Sequence, residues 1–429
     1  MFSFKKAAAG VLSCTMLLGS LVISGCSDSN TSGTQSTDNT SNGSSTAHQG
    51  EIKDISSVEL VKDMKIGWSL GNTLDGGNES NRGQDPGSIE KSWGNPDTTK
   101  EMIDEIKKAG FNVLRVPTTW DWSTGEAPEY KISDEWFARV KEIVDYGMEN
   151  DMYVILNIHH ETWHDPLEKN YETASDRLKK IWTQIGNYFK DYDEHLIFEG
   201  LNEPRVRNSD EEWNGGSDAT REVVNKLDAD FVSTIRSLDG NNKLRHLMIP
   251  GYAASSSEVA LKALKIPEND DKLIVSVHAY IPYNFALADN KRSNKWVACK
   301  EGFTNDIDNL ADMLKTLFTD KGQAVIIGEF GARSKDNEKY RAEWAKYYVT
   351  KMKTVGVPCV WWDNGAFIGS GELFGLFDRR NLEWRYPLLK DALISASNGE
   401  YTVDGLKSDT AILDELKKDI AQSKNSSAE

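Results

Sequence analysis

The segment SDEWFARVKEIVDYGMENDMYVILNIHH, residues 133–160, joins two patterns that together decide the fold. The part up to Asn150 spaces its apolar residues by three and four, which predicts an amphipathic helix. The part from Met152 onward is a nearly continuous apolar run, which predicts a short strand buried on both faces. A helix that leads directly into such a strand is the repeating unit of a parallel α/β sheet.

Apolar runs of the same kind recur along the chain and alternate with helical patterns. In order they are KIGWSL, FNVLRVP, MYVILNIHH, LIFEGLNEP, RHLMIPGY, KLIVSVHAY, QAVIIGEFG and VPCVWWDN. Eight such units predict an α/β fold of one architecture, a single (β/α)8 TIM barrel. An open doubly wound sheet is disfavoured because no Gly-rich phosphate-binding turn follows an early strand.

The first 25 residues have the features of a lipoprotein-type signal peptide. Lys5 and Lys6 precede an apolar run, Ala7–Ile23, that is too short and poorly flanked for a membrane span. The run ends in ISGC, which resembles a lipobox, and the resemblance implies lipidation of Cys26. An ordinary secretory signal that happens to contain a cysteine is the alternative. Both alternatives predict an exported bacterial protein, either secreted or held at the cell surface.

The rest of the chain divides by composition. Residues 26–50 are rich in Ser, Thr, Asn and Gly and predict a flexible linker, and residues 51–400 hold the predicted barrel. Residues 401–429 form a polar C-terminal tail whose amphipathic segment near Ala411–Ile420 is either a packed helix or a spacer. Cys299 and Cys359 leave a disulfide possible in an oxidising compartment.

The charge balance restricts the class of partner. The formal net charge of −17 makes charge-driven binding to nucleic acid or to anionic lipid head groups unfavourable. A neutral ligand agrees better with this balance. We therefore expect contact with a membrane only through the lipid anchor, and we expect a monomer.

Chemistry is expected at the carboxyl ends of the predicted strands, where barrels of this class carry their functional residues. Polar and aromatic residues at these ends are Asn72, Asp75, Arg115, His159, His160, Asn202, Glu203, His278, Tyr280, Glu329 and Trp362. Burying a carboxylate is costly, so two glutamates at the ends of apolar strands indicate a function. Two facing carboxyl groups suit glycoside hydrolysis, in which one donates a proton to the leaving oxygen and the other attacks the anomeric carbon.

Tryptophans supply flat apolar faces for sugar rings, and the chain has 13 of them. Those near predicted strand ends or in the following loops are Trp68, Trp93, Trp120, Trp122, Trp163, Trp213 and Trp362. Three others, Trp136, Trp182 and Trp344, lie in helical patterns and are expected to pack in the core.

Seven motifs occur in the order seen in glycoside hydrolase family 5. They are GWSLGNTLD, FNVLRVP, NIHHE, GLNEP, VSVHAY, IIGEFG and VWWDNG, and the resemblance covers about Lys65–Trp384. The pattern is most similar to the subfamily 4 endoglucanases. This resemblance implies a retaining double displacement on internal β-1,4-glucosidic bonds of cellulose or a related β-glucan, with no cofactor.

The resemblance also implies roles for single residues. It makes Glu203 the acid/base and Glu329 the nucleophile, held by Arg115 and Tyr280. The implied substrate contacts are Asn202 at the sugar 2-hydroxyl, His159, His160 and Trp362 in the first negative subsite, and Asn72 and Asp75 farther along; His278 matches the histidine beside the acid/base.

A competing motif is His160-Glu161-Thr162-Trp163-His164, which matches the HExxH pattern of zinc peptidases. Zinc binding by this pattern needs both histidines on one helical face. Here the motif follows a strand pattern, and Pro166 disfavours a helix just after it. We therefore predict no metal at this motif, a loop position for His164, and Trp163 as a candidate cleft wall.

Other functions remain as alternatives at this stage. Within the same family they are xyloglucanase, mixed-linkage β-glucanase and mannanase, because loops rather than the barrel set substrate choice. A non-catalytic glycan-binding surface lipoprotein and a metal-dependent hydrolase are alternatives of other classes.

Overall fold

The computed structural model describes residues 48–425, with side chains described up to residue 418. The predicted signal peptide, Cys26 and the linker up to residue 47 lie outside the described residues. Among the helices of the described part, none combines the length and the apolar character that crossing a bilayer requires.

Eight parallel strands form a closed barrel in which each strand pairs with the next in sequence and the last pairs with the first. The strands are β1 (Ile66–Leu70), β2 (Val113–Val116), β3 (Tyr153–Asn157), β4 (Leu196–Glu199), β5 (Leu247–Ser255), β6 (Leu273–His278), β7 (Ala324–Phe330) and β8 (Cys359–Asp363). The predicted (β/α)8 barrel is thus confirmed, and the open doubly wound sheet is wrong.

Helices surround the barrel and cover its outer face. They are α1 (Ser57–Asp63), α2 (Pro86–Glu90), α3 (Lys100–Ala109), α4 (Asp134–Glu149), α5 (Tyr171–Tyr188), α6 (Asp218–Ser237), α7 (Glu258–Ala263), α8 (Tyr283–Ala286), α9 (Asn305–Leu317), α10 (Glu338–Thr354), α11 (Pro387–Asn398), α12 (Val403–Ser408) and α13 (Ala411–Asn425). A two-stranded antiparallel ribbon, β9 (Phe377–Asp378) with β10 (Glu383–Trp384), follows the eighth strand.

The opening segment folds as its two patterns predict. Ser133 caps α4 by accepting the N–H of Trp136, and the apolar face of this helix is buried. Gly147 near the end of α4 lets the helix approach the sheet closely, since a Cβ atom there would lie 2.6 Å from Val154 Cγ2. The helix and the strand that follows it therefore pack directly on each other.

The barrel interior is filled by apolar side chains from alternate strand positions. Inward residues from seven of the eight strands are Val113, Ile155, Ile197, Met248, Ile274, Ile326 and Val360. Helix α1 closes the amino-terminal end of the barrel with Leu60, Val61 and Met64. The barrel is thus a packed core and not a pore, and access to its axis remains only at the carboxyl end.

The C-terminal tail is helical where the sequence left two alternatives open. The amphipathic segment forms α13, and its Leu416 packs on the main core together with Leu406 of α12. Cys299 and Cys359 are both free thiols, so the disulfide that the sequence left possible does not form between them.

Candidate active site

A polar layer lies directly above the apolar filling of the barrel. Side chains alternate along a strand, so the residue two positions after an inward apolar residue also points inward. Arg115 follows Val113 in this way, and Asn157, Glu199 and Ser276 follow Ile155, Ile197 and Ile274. All four polar residues are buried. These four residues form a hydrogen-bonded layer at the bottom of the cleft, which we call the polar floor.

Arg115 joins the parts of this floor. Its Nε donates to Glu199 Oε2 at 2.8 Å, its Nη1 donates to Glu329 Oε1 at 2.6 Å, and its Nη2 donates to Asn202 Oδ1 at 2.7 Å. Burial lowers the pKa of this guanidinium, but the two carboxylates raise it above its ordinary value. Arg115 is thus a permanent buried cation that orients three side chains.

Glu199 is itself held from the other side. Its Oε2 also accepts Asn157 Nδ2 at 2.9 Å, and its Oε1 accepts Ser276 Oγ at 2.7 Å. Three side chains, from β2, β3 and β6, thereby donate to the two oxygens of this one buried carboxylate. Glu199 has no free oxygen for a substrate, so its part is to balance and position Arg115.

The second carboxylate, Glu329 of β7, is only 5% exposed and receives donors on both oxygens. Tyr280 donates its hydroxyl to Oε2 at 2.9 Å, opposite the bond from Arg115. Burial and the charge of Glu329 raise the pKa of Tyr280 well above its ordinary value, so the phenol stays protonated. A donor on each oxygen thus fixes the orientation of the Glu329 carboxylate.

Glu203 faces Glu329 across His278. The Nδ1 atom of His278 lies 2.9 Å from Glu203 Oε1 and 3.5 Å from Glu329 Oε2. An oxygen of each glutamate and a ring nitrogen all lie within 4.8 Å of one another. Carboxyl groups separated by about 5 Å are typical of retaining glycosidases, whereas inverting enzymes keep them at least about 6.5 Å apart.

Glu203 and His278 shift each other's pKa in opposite directions. A general acid must carry a proton, yet the surroundings of Glu203 disfavour its protonated form. Burial raises the pKa of Glu203, but the hydrogen bond and charge of His278, with the charges of Arg205 and Arg115, lower it below its ordinary value. Burial lowers the pKa of His278, yet Glu329 and Glu203 raise it above its ordinary value. These opposite shifts favour a proton on His278 over one on Glu203.

His159 and His160 follow β3 and reach the same mouth. Asn157 Nδ2 lies 3.0 Å from His159 Nδ1, which selects the tautomer with its proton on Nε2. Burial, with the charges of His160 and Arg115, lowers the pKa of His159 well below its ordinary value, so this ring is neutral. The ring stacks on Trp362 with centroids 5.6 Å apart.

These side chains line a cleft of about 1070 Å³. On one side, the wall is formed by Trp362, His160, Trp93 and Asn72. Gly71 is required there, since a Cβ atom would lie 2.8 Å from the indole of Trp362. Asn72 adopts a left-handed backbone conformation at φ 56°, and the Asp75 carboxylate accepts its N–H at 3.1 Å.

The cleft continues on the other side of the two glutamates. Trp213 lies there with 63% of its surface exposed, and the guanidinium of Arg205 lies 4.2 Å from its ring centroid. Arg205 also donates to Glu203 Oε2 at 3.3 Å. Tyr283, another exposed ring, lines the same side. Aromatic surface is thus available on both sides of the carboxylate pair.

The predicted site residues lie together at the carboxyl end of the barrel, but Asp75 does not face the cleft. Asp75 is fully buried, does not line the cleft, and binds the backbone N–H groups of Asn72 and Thr73. The predicted substrate contact of Asp75 therefore stays a prediction, although its side chain is buried in this structure. Its carboxylate supports the turn that carries Asn72 and lies 3.6 Å from His160 Nε2.

The predictions for the tryptophans are correct in part. Trp93, Trp213 and Trp362 line the cleft, whereas Trp68 and Trp120 are core residues. Trp163 is not a cleft wall, because its ring packs beside the guanidinium of Arg177 and its Nε1 donates to Glu161. The three helical tryptophans Trp136, Trp182 and Trp344 are buried in the core, as predicted.

The HExxH motif does not form a zinc-binding helix. Residues 160–167 are irregular, and Glu161 Oε1 accepts the backbone N–H of Trp120 at 2.6 Å. Burial lowers the pKa of His164 to about 3, and this ring lies beneath the loop. His160 alone of the three faces the cleft.

Sequence reasoning missed two residues of the site. Glu199 lies in the run LIFEG, where an acidic residue at an inward position of an apolar strand was a usable signal. Arg205 follows the Asn202-Glu203-Pro204 motif, and no pattern in the sequence indicates that it bonds Glu203 and packs on Trp213.

Comparisons with known proteins agree with this geometry. The sequence matches the family model described as "Cellulase (glycosyl hydrolase family 5)" over residues 77–367. It is 49% identical to "Endoglucanase B" of Neocallimastix patriciarum over 347 residues, covering 80% of this chain and 72% of that protein. It is 44% identical to "Endoglucanase A" of Ruminococcus albus over 353 residues, covering 81% and 94%.

A solved structure is similar as well. The "GH5-4 broad specificity endoglucanase" of Ruminococcus champanellensis with bound cellotriose superposes with a TM-score of 0.75 at 43% identity. The match covers 80% of this chain and 99% of that one.

The polar floor yields a prediction about stability. Glu199→Gln removes one partner of a buried ion pair and leaves part of the Arg115 charge uncompensated, so the free energy of unfolding should fall by about 3 kcal/mol. The measurement is chemical denaturation at neutral pH. Glu258→Gln, which breaks the exposed pair with Lys262, is the control and should leave the free energy of unfolding nearly unchanged. Equal losses in both variants would contradict the role given to Glu199.

Proposed function

The chain belongs to glycosyl hydrolase family 5 and is an endo-acting β-1,4-glucanase, and we propose that Glu329 and Glu203 perform its double displacement. Glu329 is the nucleophile and Glu203 is the acid/base. The observation that supports this assignment is the close approach of the two carboxylates through His278, with Arg115 hydrogen-bonded to Glu329 but not to Glu203. The asymmetry gives the two glutamates different roles.

In the first step, Glu329 attacks the anomeric carbon while Glu203 gives a proton to the glycosidic oxygen, so that one sugar chain leaves as an alcohol. The bonds from Arg115 and Tyr280 orient the attacking carboxylate. In the second step, Glu203 takes a proton from water, which displaces Glu329 with retention of configuration.

The proton on His278 reaches the sugar through Glu203. When a sugar fills the cleft, it excludes water, and the charged pair of ionised Glu203 and protonated His278 becomes unfavourable relative to the neutral pair. The proton then moves across the 2.9 Å hydrogen bond to Glu203. Substrate binding thereby protonates Glu203 before this residue acts as the acid.

The cleft walls suit a neutral, ring-shaped polymer. Trp362 offers a flat face beside the carboxylates, Asn202 is positioned by Arg115, and His159 and His160 supply imidazole nitrogens. Because Trp213 lies beyond the carboxylate pair, a chain can extend in both directions, as internal cleavage requires. Cellulose-type and mixed-linkage β-glucans are the proposed substrates, and a purely glycan-binding role is disfavoured because every catalytic group is present.

We further propose that the protein is exported, anchored to the outer surface of a bacterial membrane through lipidated Cys26, and active as a monomer. Support comes from Lys5, Lys6, the short apolar run and the ISGC sequence. The linker that follows can hold the barrel away from the surface. A monomer suffices because one chain supplies every residue of the cleft.

Substitution of each glutamate should separate the two catalytic roles. On soluble cellulose derivatives and mixed-linkage β-glucan, Glu329→Gln and Glu203→Gln should each lower kcat by several orders of magnitude. On an aryl β-cellobioside, whose leaving group needs no proton, Glu203→Gln should keep rapid release of the first aryl product, whereas Glu329→Gln should not.

The control for these variants is Glu258→Gln on the surface, with near-normal kcat expected. Near-normal activity of either catalytic variant on the polysaccharides, or a burst of aryl product from Glu329→Gln, would overturn the assignment.

Replacement of His278 should change the pH dependence. In the wild-type protein, the raised pKa of His278 keeps the shared proton available above pH 6.5, and activity falls when that proton is lost at higher pH. In His278→Asn, the proton can lie only on Glu203, so the alkaline limb of kcat/KM should move to lower pH by about one pH unit or more. An unchanged limb, measured with the same β-glucan, would show that His278 does not share the proton.

Cys26→Ala should release the enzyme from the membrane. In a bacterium that processes lipoproteins, the wild-type protein should fractionate with membranes and carry acyl chains on its N-terminal peptide by mass spectrometry. The variant should lose both properties while its kcat is unchanged. An unmodified N-terminus and a soluble wild-type protein would indicate the ordinary secretory signal instead.

A further inference from the structure

A cluster of two histidines and two aspartates lies at the amino-terminal end of the barrel, opposite the catalytic mouth. His195 comes just before β4, Asp151 lies in the turn between α4 and β3, and His48 is at the start of the described residues. Asp193 is two residues before His195. None of these side chains takes part in the catalytic site described above.

The two imidazoles are oriented by a single carboxylate. Asp193 Oδ2 lies 2.9 Å from His48 Nδ1, and Asp193 Oδ1 lies 3.1 Å from His195 Nδ1. The ring of His195 is also packed flat on Tyr153, with centroids 4.8 Å apart. Both Nδ1 atoms therefore carry their proton toward Asp193, which leaves both Nε2 lone pairs directed away from it.

The two Nε2 atoms converge on one oxygen of a third side chain. Asp151 Oδ1 lies 3.4 Å from His48 Nε2 and 3.8 Å from His195 Nε2. The main-chain oxygen of Asp151 accepts Lys107 Nζ, which fixes the backbone of this turn. The Asp151 side chain is 76% exposed, so the cluster opens to solvent on that side.

We propose that His48 Nε2, His195 Nε2 and the Asp151 carboxylate bind a divalent transition-metal ion of the Zn²⁺ class. Ligand atoms of a tetrahedral zinc site are separated by about 3.3 Å, given metal–ligand bonds of about 2.0–2.1 Å. The two observed separations, 3.4 and 3.8 Å, exceed this value, and all three ligand atoms lie within 4.8 Å of one another. A side-chain movement of a few tenths of an ångström, easy for an exposed Asp151, closes the site.

The pattern around the ligands favours a transition metal over Ca²⁺ or Mg²⁺. Two imidazole nitrogens with one carboxylate suit Zn²⁺, whereas Ca²⁺ and Mg²⁺ prefer oxygen ligands. Histidines that bind metals commonly donate their other N–H to a carboxylate, and Asp193 supplies this group for both rings. The open side leaves the fourth position to solvent.

The site would join the end of the linker to the base of the barrel. The main chain around His48 already bonds the loop before β4, since Asp193 N donates to His48 O at 3.0 Å and Gly50 N donates to Asp191 O at 3.0 Å. A metal ion would add a bond between this segment and both the α4–β3 and the α5–β4 turns. The effect is on stability and not on turnover, because the ion would be bound at the end away from the cleft.

The test uses the full-length protein, stripped with a chelator and titrated with ZnSO₄ by calorimetry. We expect binding of one Zn²⁺ per chain and a rise in the midpoint of thermal unfolding that excess chelator reverses. CaCl₂ at the same concentrations should produce neither effect. kcat on β-glucan, measured well below the unfolding temperature, should be equal with and without Zn²⁺.

Three substitutions locate the site. His48→Ala and Asp151→Asn should each weaken Zn²⁺ binding at least about tenfold, and so should Asp193→Asn, which acts on the ligand orientation. Asp151 has a left-handed backbone at φ 52°, a conformation that Asn also tolerates, so this variant should fold. Asp336→Asn is the matched control, since Asp336 is exposed with φ 57° and lies in a different loop.

Two outcomes would overturn the proposal: no stoichiometric Zn²⁺ binding by the wild-type protein, or equal binding by wild type and the Asp151→Asn and His48→Ala variants. The second outcome would place the ion elsewhere on the chain. Loss of activity on chelation, restored by Zn²⁺, would contradict the separation of this site from catalysis.

Discussion

The buried guanidinium of Arg115 is the interaction on which the rest of the catalytic mouth depends. It is fully buried, and its three nitrogen atoms bind side chains from β4, from the loop after β4 and from β7. A buried cation of this kind is tolerated only when charges and hydrogen bonds compensate for its lost hydration. Glu199 and Glu329 meet this requirement, and in doing so they take up fixed positions.

This constraint explains why two chemically identical glutamates act differently. Glu329 accepts hydrogen bonds from Arg115 and Tyr280. Glu203 instead contacts His278, which can titrate, and Arg205. The first environment orients a carboxylate between two donors, and the second places a carboxylate beside a histidine that can exchange a proton with it. The opposite pKa shifts of Glu203 and His278 favour a proton on the histidine, and we propose that sugar binding returns this proton to the glutamate.

The two ends of the barrel divide the tasks of the molecule. At the carboxyl end, polar side chains extend from strand ends into a cleft, and their burial is compensated by one another. At the amino end, α1 closes the barrel with apolar residues, and the His48–Asp193–His195 cluster fastens the start of the domain. Changes at one end can therefore alter stability while the geometry of the reacting groups is kept.

Much of this arrangement is determined by the sequence alone. Eight apolar runs that alternate with amphipathic patterns determine a parallel barrel, because strands buried on both faces need helices to cover them. The position of Glu203 and Glu329 after such runs places both at the carboxyl mouth. The strand pattern before His160 and the proline after His164 exclude a zinc-binding helix, since both are local properties of the backbone.

Only the tertiary structure decided which polar groups meet and which face the cleft. Asp75 and His160 both follow strands, yet one is buried under a turn and the other lines the cleft. Glu199 is 84 residues away from Arg115 in the sequence, and only the closed barrel places the two side chains in contact. Periodicity specifies the face of a strand on which a side chain lies, but closure and register specify its neighbours, and the neighbours determine charge, proton position and access to substrate.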